Sequence, residues 1–236
     1  MENSDLTDHI SKRFNKDIED LKSAVLSMGG LVESQLQKAI TAIVSGDSEL
    51  GLKVANDDYM VNNMEVSIDE ECGRILAMRA PAAGDLRLIV AIIKTITDLE
   101  RIGDEAEKIA KCASYLTKEG FTSEYFSELE KLAGMVMENL SQALNALARL
   151  EADDALRIAI NDDVIDESFE VLNKKLINSM SNNPTELDKF MRLSWSAKSL
   201  EKIGDHTTNI CEYVIYLVKG KDVRHIDIET IQEEYF

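Results

Sequence analysis

Leu99–Asp104 reads LERIGD and Leu200–Asp205 reads LEKIGD, so one acidic, glycine-containing word occurs twice at an offset of 101 (200 minus 99). The match extends outward at the same offset: Leu86 with Leu187, Ile109 with Ile210, Tyr115 with Tyr216, Leu116 with Leu217, and Lys118 with Lys219. Upstream, NDDYMVNNMEV (Asn56–Val66) is similar to NDDVIDESFEV (Asn161–Val171), now at an offset of 105 (161 minus 56). Slippage of a few residues implies connecting loops of unequal length, and the economical reading is an internal duplication. The chain should therefore fold as two similar units, residues 1–120 and residues 121–236, the second ending in a polar, poorly packed tail from Asp222 to Phe236.

Only 2 prolines and 11 glycines interrupt a chain rich in Ala, Leu, Ile, Glu, Asp and Lys, which favours helices over strands. Apolar residues recur at spacings of three and four between SGDSE, RAPAAGD, EGFTS and SNNPTE. That pattern predicts helices over 8–44, 48–78 and 85–118 in the first half, and over 123–150, 153–180 and 185–219 in the second. Short connections make neighbours antiparallel, so the expected fold is all-α, with six long helices in two pseudo-symmetric up-down-up three-helix bundles. Pro81 and Pro184 punctuate comparable places, each shortly before the helix that carries a repeated word. The MGGL run at Met28–Leu31 reads as a close-packing or bend site in the first helix.

A formal charge of -18, from 44 acidic against 26 basic side chains, would repel both a phosphate backbone and anionic headgroups. Nucleic acid and direct membrane insertion are not expected; a basic protein surface or metal cations suit the charge better. There is no basic segment leading into an apolar run at the start and no apolar stretch of bilayer length, so a cytoplasmic location is expected. Cys72, Cys112 and Cys211 are far apart and form no CxxC pair, which reads as three reduced, packed thiols.

At about 100° per residue, Leu99, Ile102, Ala106 and Ile109 share the core face of their helix, and Glu100, Asp104 and Glu107 fall together beside it. The second copy repeats this with Glu201, Gly204 and Asp205, and Asn209 follows one turn on. Like charges at i and i+4 repel by a few tenths of a kcal/mol, and a mid-helix glycine costs roughly 1 kcal/mol relative to alanine. A solvated face beside Arg101, Lys108, Lys111 and Lys202 would accommodate one such word. Its repetition in register points instead to a cation held at Glu100 and Asp104, and again at Glu201 and Asp205. Oxygen donors suit Mg, Mn, Fe or Zn ions. The upstream repeat offers partner ligands at Asp58, Asn62 and Glu65 and at Asp163, Glu167 and Glu170, with Asp166 beside the second stripe, although caps or solvated stripes explain these equally well. His9, His206 and His225 are the only histidines; His206 follows Asp205 and reads as structural more readily than as a ligand. No Glu-x-x-His pair supports a di-iron oxidase, and no phosphate-binding glycine loop or nucleophile elbow is present.

LERIGDEAEKI, LEKIGDHTTNICEY, PAAGDLRLI, MGGLVESQLQKAITAI and VNNMEVSIDEEC together resemble the PhoU family, from about His9 to His225 and in both halves. The resemblance implies two three-helix bundles, a homodimer, and divalent or trivalent metal bound at E/D-x-x-x-D motifs, here Glu100 to Asp104 and Glu201 to Asp205. It further implies a non-enzymatic negative regulator of the phosphate-starvation regulon. Such a regulator would link the nucleotide-binding subunit of a phosphate ABC transporter to a membrane sensor histidine kinase, and would be recruited to the inner membrane by those partners. A metal-dependent hydrolase and a metal-storage bundle are the alternatives. Asp98, Glu105 and Glu107 are matched in the second half by Ser199, His206 and Thr208, so the first site is expected to be the more anionic.

Overall fold

The computed structural model describes residues 2–224, 226 and 230, with side chains from Lys12 onward; His225 and the side chain of His9 lie outside them. Helices α1 (Glu2–Ser45), α2 (Ser48–Asp57), α3 (Tyr59–Arg79) and α4 (Ala83–Lys118) form the first half. Helices α5 (Phe126–Arg149), α6 (Ala152–Ile160), α7 (Asp162–Asn182) and α8 (Leu187–Lys219) form the second, a single 3₁₀ turn at Pro184–Glu186 leading into α8. Each half is a three-helix bundle with a long first and third helix, and the described residues contain no strand.

The middle helix of each bundle, expected to be continuous, is broken once. Val61 N–H donates to Asp58 O at 2.9 Å and Asn161 N–H to Ile158 O at 3.1 Å, so an i→i+3 turn tightens each junction. Asp and Asn are weak helix formers with side chains that compete for local hydrogen bonds, which is why the break falls at these residues. At each break a polar side chain bonds to the first helix of its bundle: Asp58 accepts from Gln35 of α1, and Asn161 donates to Asn139 of α5.

Helices α4 and α8 pack against each other at the centre, and α1 also meets α5, so the two halves share one core. Leu99, Ile102 and Ile109 of α4 and Leu200, Ile203 and Ile210 of α8 are fully buried. Each such side chain contributes about 1.5–3 kcal/mol relative to exposure. Small residues set the spacing. A Cβ on Gly51 would stand 2.7 Å from the Ala110 carbonyl oxygen, so α2 lies directly on α4. Gly29, within the MGGL run, faces Leu144 of α5 at 2.8 Å, whereas Gly30 has open space. The three cysteines are free and buried, and burial pushes the Cys72 thiol up to about 12.

The expected loose tail is corrected in its described part. After α8 ends at Gly220 in a left-handed conformation (φ 78°), Val223 is fully buried and Asp222 pairs with the Arg224 guanidinium. Residues 227–229 and 231–236 lie outside the described part. No described helix is long and apolar enough to cross a membrane.

Candidate metal centre

In the second half, α8 presents Glu201 and Asp205 one turn apart, and the start of α7 presents Asp162 and Asp166 toward them. One carboxylate oxygen from each of Asp166, Glu201 and Asp205 lies within 4.8 Å of the others, and the cluster opens to solvent through Asp166 and Asp205. Gly204 lets α7 come this close, since a Cβ there would stand 2.7 Å from Asp162 Oδ1. That Asp162 oxygen and Glu201 Oε2 are both buried without a hydrogen-bond partner. Lys198 neutralises part of the group through Glu201 Oε1.

The electrostatics follow from this crowding. Burial, and beyond it Asp166, Asp205 and Asp163, push the Asp162 carboxyl up to about 6 against the pull of Thr208. Burial and then Glu201 raise both Asp166 and Asp205. Carboxylates crowded together and partly withdrawn from water favour the uptake of a proton or a cation.

The first half places a chemically different set on the same scaffold. Glu100 and Asp104 of α4 face Asp58 and Asn62 at the start of α3, and burial followed by the neighbouring carboxylates raises both α4 acids. Asp58 is buried but satisfied, accepting from Gln35 Nε2 at 2.8 Å and from Asn62 Nδ2 at 3.2 Å. A Cβ on Gly103 would meet Val61 at 3.2 Å, Gln35 Oε1 at 3.3 Å and Asp58 Oδ1 at 3.5 Å. Arg101 lies 3.6 Å from Glu100 and 4.0 Å from Asp104.

These contacts correct the upstream register. Gly103 meets Val61 and Asp58 where Gly204 meets Ile165 and Asp162, an offset of 104 (165 minus 61) rather than 105. Asp58 therefore corresponds to Asp162, not Asp163, and Asn62 corresponds to Asp166. The side chains nearest each glycine differ in charge as well. Four carboxylates meet in the second half (Asp162, Asp166, Glu201, Asp205) against three and an amide in the first (Asp58, Glu100, Asp104, Asn62).

The extra acids of the first half point elsewhere. Asp98 is buried in the α4–α8 seam, bonded to His206 Nδ1 at 2.7 Å, Asn209 Nδ2 at 3.0 Å and the Tyr213 hydroxyl at 2.8 Å. Glu105 is buried there too, accepting from Ser199 at 2.7 Å and Lys108 at 2.8 Å. Glu107 pairs with Lys111 at 2.6 Å. Asn209 thus spends its amide on the seam rather than on the cluster. Glu170 is exposed and bonded to Lys174 and is the last of the charges that raise Asp166, while Glu65 and Asp163 raise Glu100 and Asp162 respectively. Sequence reading missed Asp162, Gln35 and Asn139.

Five buried side-chain polar atoms among the described residues lack a partner, and four of them border these two sites: Gln35 Oε1, Asn62 Oδ1, Asp162 Oδ1 and Glu201 Oε2. All four are oxygen acceptors, the donor type a hard or borderline cation takes. The residues present fit a metal.

Fold and sites together define a duplicated helical-bundle protein with one oxygen-rich acidic cluster between the middle and last helices of each half. The family model for the PhoU domain matches residues 25–113 and 129–214, one match in each half. The chain belongs to the PhoU family. It is 46% identical over 229 residues to the phosphate-specific transport system accessory protein PhoU homolog of Pseudomonas aeruginosa, covering 97% of this chain and 95% of that one. To the corresponding protein PhoU of Escherichia coli strain K12 it is 41% identical over 229 residues, 96% and 93% of the two chains. The crystal structure of PhoU from Pseudomonas aeruginosa is similar with a TM-score of 0.86 at 44% identity, over 88% of this chain and 100% of that one. That of the phosphate transport system regulatory protein PhoU from Streptococcus pneumoniae gives 0.82 at 30% identity, over 89% and 99%.

Proposed function

We propose that this chain is an accessory regulator of phosphate-specific transport, a non-enzymatic adaptor that restrains uptake and the phosphate-starvation regulon when phosphate is plentiful. The observation that carries the reading is similarity running through both halves to proteins named as accessory to that transport system. Its partners in this reading are the transporter's nucleotide-binding subunit and a membrane sensor histidine kinase. They would bring a homodimer of the chain to the inner membrane from the cytoplasm. A net charge of -18 supports protein partners with basic surfaces.

Divalent or trivalent metal belongs to the same proposal. Glu201, Asp205, Asp162 and Asp166 would hold it in the second half; Glu100, Asp104, Asp58 and Asn62 would do so in the first. A bound cation would supply positive charge, tying the last helix of each bundle to the middle one. These residues bring together α7 with α8 and α3 with α4, so occupancy would set the rigidity of the surfaces offered to partners.

The test is a deletion strain complemented with the wild-type chain or with Glu100→Ala plus Glu201→Ala, scored by phosphate-regulon expression at high phosphate. Wild type should restore repression, and the double variant should restore less of it. Constitutive expression that the wild-type chain leaves unchanged would defeat the adaptor reading. Full repression by the double variant would remove the metal from it.

A further inference from the structure

The α4–α8 seam has two faces related by the internal repeat, and they are finished differently. At the offset of 101 (216 minus 115), Tyr115 corresponds to Tyr216, Cys112 to Tyr213, Ser196 to Thr95, Ser199 to Asp98 and Trp195 to Lys94. On the Tyr213 face the chain covers its own seam. Lys94 Nζ lies 5.5 Å from the Tyr213 ring centroid and 5.7 Å from that of Tyr216. The segment leaving α8 passes Arg87 at Gly220, buries Val223 completely, and sets the Asp222 carboxylate on Arg224 and within the field of Lys94. An acidic residue followed by an apolar one fills that side.

On the Tyr115 face, no described segment does the same. A groove of about 310 Å³ runs between α4 and α8, walled by Lys108, Lys111, Arg192 and Trp195 over a floor of Cys112, Ser196 and Ser199, with no carboxylate in its lining. Three cations in one groove stand out in a chain with a charge of -18. Arg192 is fixed in place: its guanidinium lies 3.7 Å from the Tyr115 ring centroid and 5.9 Å from that of Trp195, and its Nε donates to Asp188 at 3.1 Å. Trp195, the only tryptophan of the chain, leaves 53% of its surface in water. Trp, Tyr and Arg are the residue types that dominate binding hot spots, and here they are stacked in advance. The two lysines pair with Glu105 and Glu107 on their own helix, but both lysine side chains are more than half exposed, at 55% and 60%. Glu105 and Glu107 are themselves mostly buried, so each ammonium stays on its carboxylate and offers an incoming one its remaining N–H donors.

We propose that this groove docks an extended acidic segment of a partner protein, with a carboxylate at Lys108 and Lys111 and the neighbouring apolar side chain laid on Trp195. Asp222 and Val223 supply the same pair of chemistries on the opposite face. The inference rests on the adaptor reading and names the chemistry of one partner contact.

Because Trp195 is the sole tryptophan, its emission reports the groove directly in the full-length protein. Titration with a synthetic peptide alternating Glu with Leu should give a saturable shift that weakens with added salt. The affinity should fall at least ~10-fold in Lys108→Glu plus Lys111→Glu, with an unchanged circular dichroism spectrum, and a matched Lys–Leu peptide should give no saturable shift. By anisotropy of a labelled Glu–Leu peptide, Trp195→Ala should bind ~10-fold more weakly as well. No saturable response, or an equal response to the Lys–Leu peptide, would overturn the proposal. So would a shift produced by vesicles of anionic phospholipid and not by the acidic peptide, which would make the face a lipid contact. Complementation separates the two readings. If wild type restores repression and the lysine double variant restores it equally, the groove fails and the adaptor stands; if wild type itself does not, the adaptor reading fails whatever the peptide does.

Discussion

The two acidic clusters occupy equivalent positions in one duplicated scaffold, yet they resolve the same electrostatic problem in opposite ways. In the first, Asp58 is hydrogen-bonded internally by amide donors from Gln35 and Asn62, and Arg101 approaches both α4 carboxylates. In the second, Asn62 is replaced by Asp166, the Gln35 counterpart Asn139 turns to Asn161, and Asp162 keeps an unpartnered oxygen. The backbone arrangement, a glycine facing a broken helix, is common to both; the difference lies in two or three side chains. Duplication therefore preserved the geometry of a site while letting its charge diverge, so the metal proposed above would be held more tightly by the second cluster than by the first.

The largest expected effect breaks the stronger site. Glu201→Gln plus Asp205→Asn removes two charged ligands from the second half and should lower its divalent-metal affinity by about 100-fold, at the upper end of what perturbing a metal site does. Glu100→Gln plus Asp104→Asn should leave the tightest binding phase intact. Calorimetric titration of Mn²⁺ into chelator-stripped protein distinguishes them, and equal losses in both variants would abolish the distinction between the sites.

Much of this was written legibly in the sequence, and the part that was not has physical causes. LERIGD and LEKIGD located α4, α8 and their carboxylates because a repeated, locally unfavourable word stands out against helical periodicity. The register of α3 and α7 was off by one because both copies contain an Asp-Asp pair: identity aligns Asp58 with Asp163, whereas the helix face that meets the glycine carries Asp162. Gln35 and Asn139 gave no signal, since a neutral amide on a long helix resembles any other surface residue. Asp98 and Glu105 count in the sequence toward the charge of the first site, but they face the α4–α8 seam. Their partners, His206 and Ser199, lie 108 and 94 residues away, and only the packing of α4 on α8 brings them together.

The next effect is on pH dependence. The raised carboxyl of Asp162, at about 6 against an ordinary 3.8, favours the protonated folded state. Its contribution is complete below about pH 4 and is lost as pH rises through 6, so metal-free protein loses roughly 1 kcal/mol from this group between pH 5 and pH 7.5, the rest having gone below pH 5. Asp166 and Asp205 act in the same direction. Asp17, which burial alone would raise, is held down by Arg79 and Arg74, so its contribution is lost only as pH falls below about 4, outside this interval. Denaturant melts should show Asp162→Asn losing less stability over this interval than wild type. The stabilisation by added Mn²⁺ should grow with pH as the metal displaces protons. If the wild-type and Asp162→Asn pH profiles run parallel, the second cluster is not under the strain assigned to it.

Smaller still is the effect of the two glycines. Gly204→Ala puts a methyl group 2.7 Å from Asp162 Oδ1, so that carboxylate must move, whereas Gly103→Ala meets its neighbours at 3.2–3.5 Å, where a few tenths of an ångström of give suffice. Alanine gains roughly 1 kcal/mol of helix propensity at both positions, which offsets much of the crowding, so melting temperatures should change little. Metal affinity should change more, by about 10-fold in the second site and ~3-fold in the first. Equal responses would mean that the close approach of α7 to α8 does not position the ligands.

The smallest difference separates two glutamates that lie on equivalent-looking stripes. Glu65 is second only to Asp104 among the charges that raise Glu100, whereas Glu170 is exposed, bonded to Lys174 at 2.8 Å and the last of the charges that raise Asp166. Glu65→Ala should therefore alter first-site metal affinity by about 2- to 3-fold, as one nearby charge at intermediate dielectric does. Glu170→Ala should change second-site affinity by less than about 2-fold, because solvent and Lys174 screen its charge. Should Glu170→Ala weaken the second site as much as Glu65→Ala weakens the first, the ligand stripe on α7 would have to extend past Asp166, restoring on the second copy the symmetry that the side chains have otherwise broken.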